Sequence, residues 1–467
     1  MADGGVRAPR NAKAIAFPAR RRGLRDRAVL IASRVGASLL ALALAAATAP
    51  ALAQQDAKVF QFALENGLQV TVVPDHRAPV VTRMLLYRVG AADDPPGLSG
   101  LADFIQQAAL NAGNATSSNN GARNCAFTTH DYTAFCQQIG KDRLRAVMSA
   151  DADRLANLAL SDRNVRDGAD AVLADRRARV DGNPQALLRE QMEAALFLSH
   201  PYGRPVTGWP EEVRHIGRIE AQAFYDRHYP PNNAYLVVAG DVTPDEARAD
   251  AEATYGKLTA HELHPRAEFA QPPRLGETRL TVLRDDVRMP LLLRLYRVAS
   301  YTEARPGEAE ALQVLAQLLG GDPTSALYRE LVIRRKLATE TRAFYEGYAR
   351  DDGEFGIFAR AKPGVRPEVL QQAVDGIVSA AMQTVPRMAD LERAKTQLVA
   401  DAVYLHDDQI SLASAYGQSL AIGLTAQDVE DWPNRIRAVS AEEVRKVAAG
   451  DVILREAVTG YLLPATQ

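Results

Sequence analysis

The sequence predicts an α+β protein of two homologous domains, each an antiparallel-rich sheet packed with long helices. Three observations predict it. The chain has 467 residues, more than one hydrophobic core organises, and two domains of about 200 residues fit that length. Runs with strand alternation and runs with helical periodicity occur in both halves. A short pattern also recurs at an offset of roughly 210 residues. Arg77-Ala78-Pro79 leads to Leu86-Tyr87-Arg88-Val89, and Arg288-Met289-Pro290 leads to Leu295-Tyr296-Arg297-Val298.

Residues 1–53 read as a leader. Arg20, Arg21, Arg22, Arg25 and Arg27 precede an apolar, alanine-rich run from Val35 to Ala49, and Ala51-Leu52-Ala53 matches a small-x-small cleavage site. That order is the layout of a secretory signal peptide, which places the mature chain in the periplasm or otherwise outside the cytoplasm. The alternative is an uncleaved leader anchoring the protein to the membrane. The apolar run is short for a spanning helix, so no stable span is expected once the leader is removed.

Val59 to Leu64 and Leu68 to Val73 flank Asn66-Gly67, a hairpin signature. Val80 to Val89 reads as a strand. Residues 98–112 read as a helix with Ser99 as N-cap and Gly113 as stop. Residues 122–138 read as a second hairpin. Helical patterns occupy 142–160, 163–180 and 184–197; a strand follows at Asn233 to Gly240, then a helix from Thr243 to Tyr255 with Pro244 in its first turn. These elements make a first domain of 54–257. Residues 258–278 are proline-rich and charged without a period, and read as a linker to a second domain, 279–467. There a helix at 307–320 ends at Gly320-Gly321, long helices occupy 367–384 and 388–404, and Ala457 to Leu463 reads as a closing strand.

Hydrophobic content of 47% and charged content of 24% are ordinary for a soluble globular protein. A formal net charge of -2 offers no electrostatic case for nucleic acid or anionic lipid. The two cysteines, Cys125 and Cys136, flank the turn at His130-Asp131. A two-residue loop there sets them opposite one another, as a cross-strand disulfide or as two buried thiols.

Several stretches together resemble the pitrilysin/insulinase family of zinc metallopeptidases in its bacterial two-repeat form. The carriers include Leu64-Glu65-Asn66-Gly67-Leu68, Asp75-His76-Arg77-Ala78-Pro79, Gly100-Leu101-Ala102, Ala126-Phe127-Thr128, His200-Pro201-Tyr202-Gly203 and Val237-Val238-Ala239-Gly240-Asp241. The resemblance covers about residues 58–465 and implies that the two-domain chain is built like half of a metallopeptidase clamshell.

The family's chemistry sits on the helix after Gly-Leu-Ala, in the motif His-x-x-Glu-His, with a later Glu completing the zinc site. Positions i, i+3 and i+4 share one helix face, so two imidazoles hold zinc while the carboxylate activates its water. Here those positions read Asp103, Gln106 and Gln107, and Asp175 takes the place of the later Glu. A neutral amide at Gln106 has no useful basicity near pH 7. Gln107 offers a carbonyl oxygen in place of an imidazole nitrogen, and an oxygen-only set favours calcium or magnesium over zinc. No catalytic residue and no cofactor are therefore expected; zinc or another divalent cation enters only if Asp103 and Asp175 form an altered metal site.

The resemblance also implies that Cys125, Ala126, Phe127 and Thr128 form the strand against which extended peptides lie. An Arg and Tyr pair that supports peptide in the family is not cleanly matched by Arg334, Arg335 and Thr339. The expectation is a non-catalytic homologue, acting as partner or peptide-binding component beside a homologous zinc-bearing subunit, or as a homodimer. The alternatives are an active peptidase with an altered ligand set and a stand-alone peptide-binding protein. Of the remaining features, His261-Glu262-Leu263-His264 resembles a metal motif only superficially, His130 reads as exposed turn chemistry, and Arg176-Arg177 as an exposed helix face.

Overall fold

The first hairpin follows from Asn66-Gly67: Gly67 takes φ 83°, a left-handed value that glycine tolerates without strain, and β1 (Phe60–Ala63) folds back on β2 (Gln69–Pro74). The computed structural model describes residues 59–112, 123–156, 158–273, 276–405, 407–452 and 456–465. The leader and Gly113 lie outside the described residues. Described residues from Val59 onward form one unit.

Two mixed sheets organise it. The first adds β3 (Val80–Tyr87), β4 (Arg123–Thr128), β5 (Thr133–Gly140) and β6 (Ala234–Gly240), in the order β1-β2-β6-β3-β5-β4. The second comprises β7 (Thr278–Arg284), β8 (Leu291–Val298), β9 (Ala338–Glu346), β10 (Gly353–Ala361) and β11 (Val458–Pro464), in the order β7-β11-β8-β10-β9. Each has one parallel pair, β2 with β6 and β7 with β11, and is otherwise antiparallel. The second sheet therefore repeats the topology of the first from β2 onward.

The helices of the first half are α1 (Leu101–Ala112), α2 (Leu144–Ala156), α3 (Asp162–Arg176), α4 (Pro184–Leu196), α5 (Pro210–Val213), α6 (Arg218–His228) and α7 (Pro244–Ala253). Those of the second are α8 (Glu308–Gly320), α9 (Pro367–Gln383), α10 (Met388–Leu405), α11 (Gln409–Ile422), α12 (Ala426–Ala438) and α13 (Ala441–Gly450). One face of each sheet is covered by helices of its own half.

The opposite faces are covered reciprocally. Leu412, Ala413 and Tyr416 of α11 pack on Met84, Leu86 and Val237 of the first sheet. Leu188, Met192 and Leu196 of α4 pack on Leu291, Leu293 and Val458 of the second. Each of the leucine and methionine side chains among these contributes about 1.5–3 kcal/mol on burial, so each half helps to stabilise the other. A glycine sits at both crossings: a Cβ on Gly417 would lie 2.6 Å from Leu86, and one on Gly460 would lie 2.2 Å from Met192. Being buried on both faces, β3 and β8 read as nearly continuous apolar runs. The polar exceptions are Thr82, Arg83, Arg294 and Arg297; of these, Arg83 and Arg294 are buried charges that pair with Asp151 at 2.7 Å and with Asp375 respectively.

Two expectations are corrected. Helix α1 begins at Leu101, and Ser99 is not its N-cap: Ser99 Oγ accepts the N–H of Trp209 at 2.9 Å, while Asp94 takes the N–H groups of Gly100 and Ala102. The pattern at 163–180 resolves into α3 and a π turn at Arg177–Asp181. The described residues of the 258–278 segment have no regular structure before β7, and they are bonded to the first half: Arg266 donates to Asp93, and Gln271 accepts the N–H groups of Ser199 and His200.

Candidate functional site

The site is built on α1 and α3. At Gly100, φ 89° turns the chain into α1, and a Cβ there would lie 2.9 Å from the Thr207 carbonyl. Phe104 then packs on Gly168 of α3, where a Cβ would come within 2.5 Å of its ring. This close crossing fixes α1 against α3. Asp103 and Gln106 are buried, at 5% and 3% exposure, and Gln107 is half-buried. A polar helix face lining an open cavity is thus not what the positions form; two of them are sequestered.

Asp175 lies at the C-terminal end of α3, and Arg179 reaches back from the π turn to bring Nε within 2.6 Å of its Oδ1. Burial pushes the Asp103 carboxyl up to about 7, the charge of Asp175 adds to that, and Arg179 opposes it. Asp103 Oδ2 has no hydrogen-bond partner, so no donor at that oxygen offsets the cost of burying the charged form. Burial also raises Asp175, against the pull of Arg179. Sequence reasoning missed Arg179, although an acid and a base four residues apart on a helix is a legible signal.

Zinc does not fit this donor set. Asp103, Gln107 and Asp175 supply oxygen alone, with no imidazole or thiolate. One of the two carboxylates, Asp175, is already engaged by the Arg179 guanidinium, a fixed cation of the protein that competes for it. Among the described residues, no group of three or more His, Cys, Asp or Glu side chains is arranged to hold an ion.

The strand with Cys125, Ala126, Phe127 and Thr128 is β4, an edge of the first sheet. Its register with β5 sets Cys125 opposite Cys136, with Cα atoms 5.0 Å apart and the sulfurs bonded. Thr129 N–H donates to the Tyr132 carbonyl, closing a two-residue loop at His130-Asp131. His130 is half-buried, correcting its reading as exposed: Nε2 donates to the Arg204 carbonyl at 2.9 Å because a carbonyl only accepts. Asp131 accepts Tyr202 Oη at 2.7 Å and the Arg350 N–H at 3.1 Å. The tip of the hairpin is thereby bonded to the β9–β10 loop of the second half.

Arg176 is buried and donates to both oxygens of Glu190, so only Arg177 of that pair is exposed. His261 lies in the irregular segment, with Nδ1 bonded to the Asp226 carbonyl. Arg334 is exposed and paired with Glu330, and Thr339 is exposed on β9 beyond Lys336, whose φ of 56° turns the chain into that strand.

Two sheets of shared topology, with a degenerate His-x-x-Glu-His position on the helix after β3, define a protein of the two-repeat metallopeptidase class. The family description Insulinase (Peptidase family M16) matches residues 69–208, and Peptidase M16 inactive domain matches 215–398. The chain belongs to the insulinase family. It is similar to the zinc protease PqqE of Helicobacter pylori, 22% identical over 412 residues that cover 86% of this chain and 92% of that one. A protease structure from Helicobacter pylori superposes with a TM-score of 0.79 at 22% identity, covering 87% of this chain and all of that one (100%). The periplasmic protease PqqL of Escherichia coli superposes with a TM-score of 0.73 at 16% identity, over 87% of this chain and 48% of that one. Among the described residues, no helix is long and apolar enough to cross a membrane.

Proposed function

We propose that this chain is a non-catalytic member of the insulinase family that serves as the partner or peptide-binding component of an exported metallopeptidase-type assembly. One observation carries the reading: the general-base position is Gln106, a buried amide, and the Asp175 carboxylate is held by Arg179 rather than free for a metal. The export expected from the leader, and a structural neighbour described as a periplasmic protease, support the compartment. The partner of this reading is a homologous subunit carrying an intact His-x-x-Glu-His.

Extended peptide would add as a strand along β4. Main-chain pairing needs no particular side chain, so it survives the loss of the catalytic set. The experiment is peptide binding by the mature chain, using an unstructured fluorescent peptide. Wild type should bind without cleaving, and Ala126→Pro, which removes a donor from the edge strand, should weaken binding about tenfold with the fold intact. Zinc-dependent cleavage by this chain alone would dismiss the proposal, as would unchanged binding in the proline variant.

A further inference from the structure

A cleft of about 530 Å³ opens in the second half between α8, α9, α10 and residues 322–330. Leu315, Leu319, Ile377, Ala381 and Ala394 give it an apolar floor. Gly376 and Ala380, one turn apart on α9, also line it, and Val385 stands 51% exposed beside them. A glycine inside a helix costs about 1 kcal/mol relative to alanine. Yet a Cβ at Gly376 would meet no atom within 4 Å, so packing does not require glycine there. Its effect is to keep the cleft open.

The polar lining is lopsided: Arg329, Arg335, Arg387 and Arg393 face Asp322, Glu330 and Asp390. Most of the acids are already committed. Asp390 holds Arg387 at 2.6 Å and also Arg393, Glu330 holds Arg334 at 2.5 Å, and Asp322 takes the N–H and hydroxyl of Thr324. Arg329 approaches Asp390 only to 3.7 Å and Arg335 approaches Glu330 only to 3.6 Å, both beyond hydrogen-bonding distance. Two guanidinium forks therefore keep donors for another acceptor beside an apolar cleft of ligand size.

We infer that this cleft binds an amphipathic carboxylate, its aliphatic body on the α8–α9–α10 floor and its carboxylate against Arg329 and Arg335. Four arginines against three carboxylates suit a single added negative charge, and the planar fork matches a carboxylate in two-point geometry. The site lies apart from α1 and α3 and does not depend on the peptide reading.

The test is calorimetric titration of the mature protein with decanoate, decan-1-ol and acetate. Decanoate should bind about tenfold more tightly than decan-1-ol, and acetate should give no measurable heat. Arg329→Glu with Arg335→Glu should lower decanoate to the level of the alcohol. Ala380→Trp, at an exposed helix position, should abolish both, with unchanged melting temperatures confirming that the variants fold. Equal binding of decanoate and decan-1-ol by wild type, or undiminished decanoate binding by folded Ala380→Trp, would overturn the assignment.

Discussion

Arg179 Nε sits 2.6 Å from Asp175 Oδ1, placing a fixed cation of the protein against a carboxylate that the family would give to zinc. This pairing makes a prediction about reversal. Restoring the family's residues with Asp103→His, Gln106→Glu, Gln107→His and Asp175→Glu should create a zinc site, and adding Arg179→Ala should tighten it about tenfold by removing a competing charge. Competition against a chromophoric chelator measures both. Identical affinities with and without Arg179 would remove it from the account.

Asp103 supplies a pH dependence of definite sign. Its folded pKa, about 7, lies above the ordinary carboxylate value of 3.8. The folded state therefore binds more protons than the unfolded one between those values, and this group's contribution to stability falls as pH rises through that window. Asp103→Asn should stabilise the protein by roughly 2 kcal/mol at pH 8 and by much less at pH 5. Denaturant titrations at the two pH values check this, and an equal effect at both would contradict it.

The reciprocal helices predict that the two halves are energetically coupled. Gly417 brings α11 onto Leu86, and Gly460 admits Met192 of α4. Either glycine to alanine should destabilise the whole protein by about 1–3 kcal/mol through overpacking. Thermal unfolding should remain a single transition at lower temperature; a separate early melt of one half would show the halves to be independent.

Much of the fold was legible because it is local. Asn66-Gly67 declares its hairpin, and the loop at His130-Asp131 sets Cys125 opposite Cys136, as the pairing of β4 with β5 has it. The offset repeat around Arg77 and Arg288 marks β3 and β8, the matching strands of the two sheets. What sequence reasoning missed depends on long-range contact. Nothing in the apolar faces of α4 and α11 says that they cross to the other half's sheet. The β9–β10 hairpin was obscured because β9 is a charged edge, and β10 carries Gly356 where the ring of Phe344 lies. Arg176 looked exposed because its partner Glu190 arrives only when α4 folds back. At the site, the four substituted positions were readable, but their burial and the approach of Arg179 were not.

The most direct test of the central claim is metal content and hydrolysis by the purified mature chain, dialysed against zinc at neutral pH. The account predicts well under one zinc per chain, no peptide cleavage, and no change in either on Asp103→Ala. One tightly held zinc per chain, lost together with peptidase activity in Asp103→Ala, would contradict it.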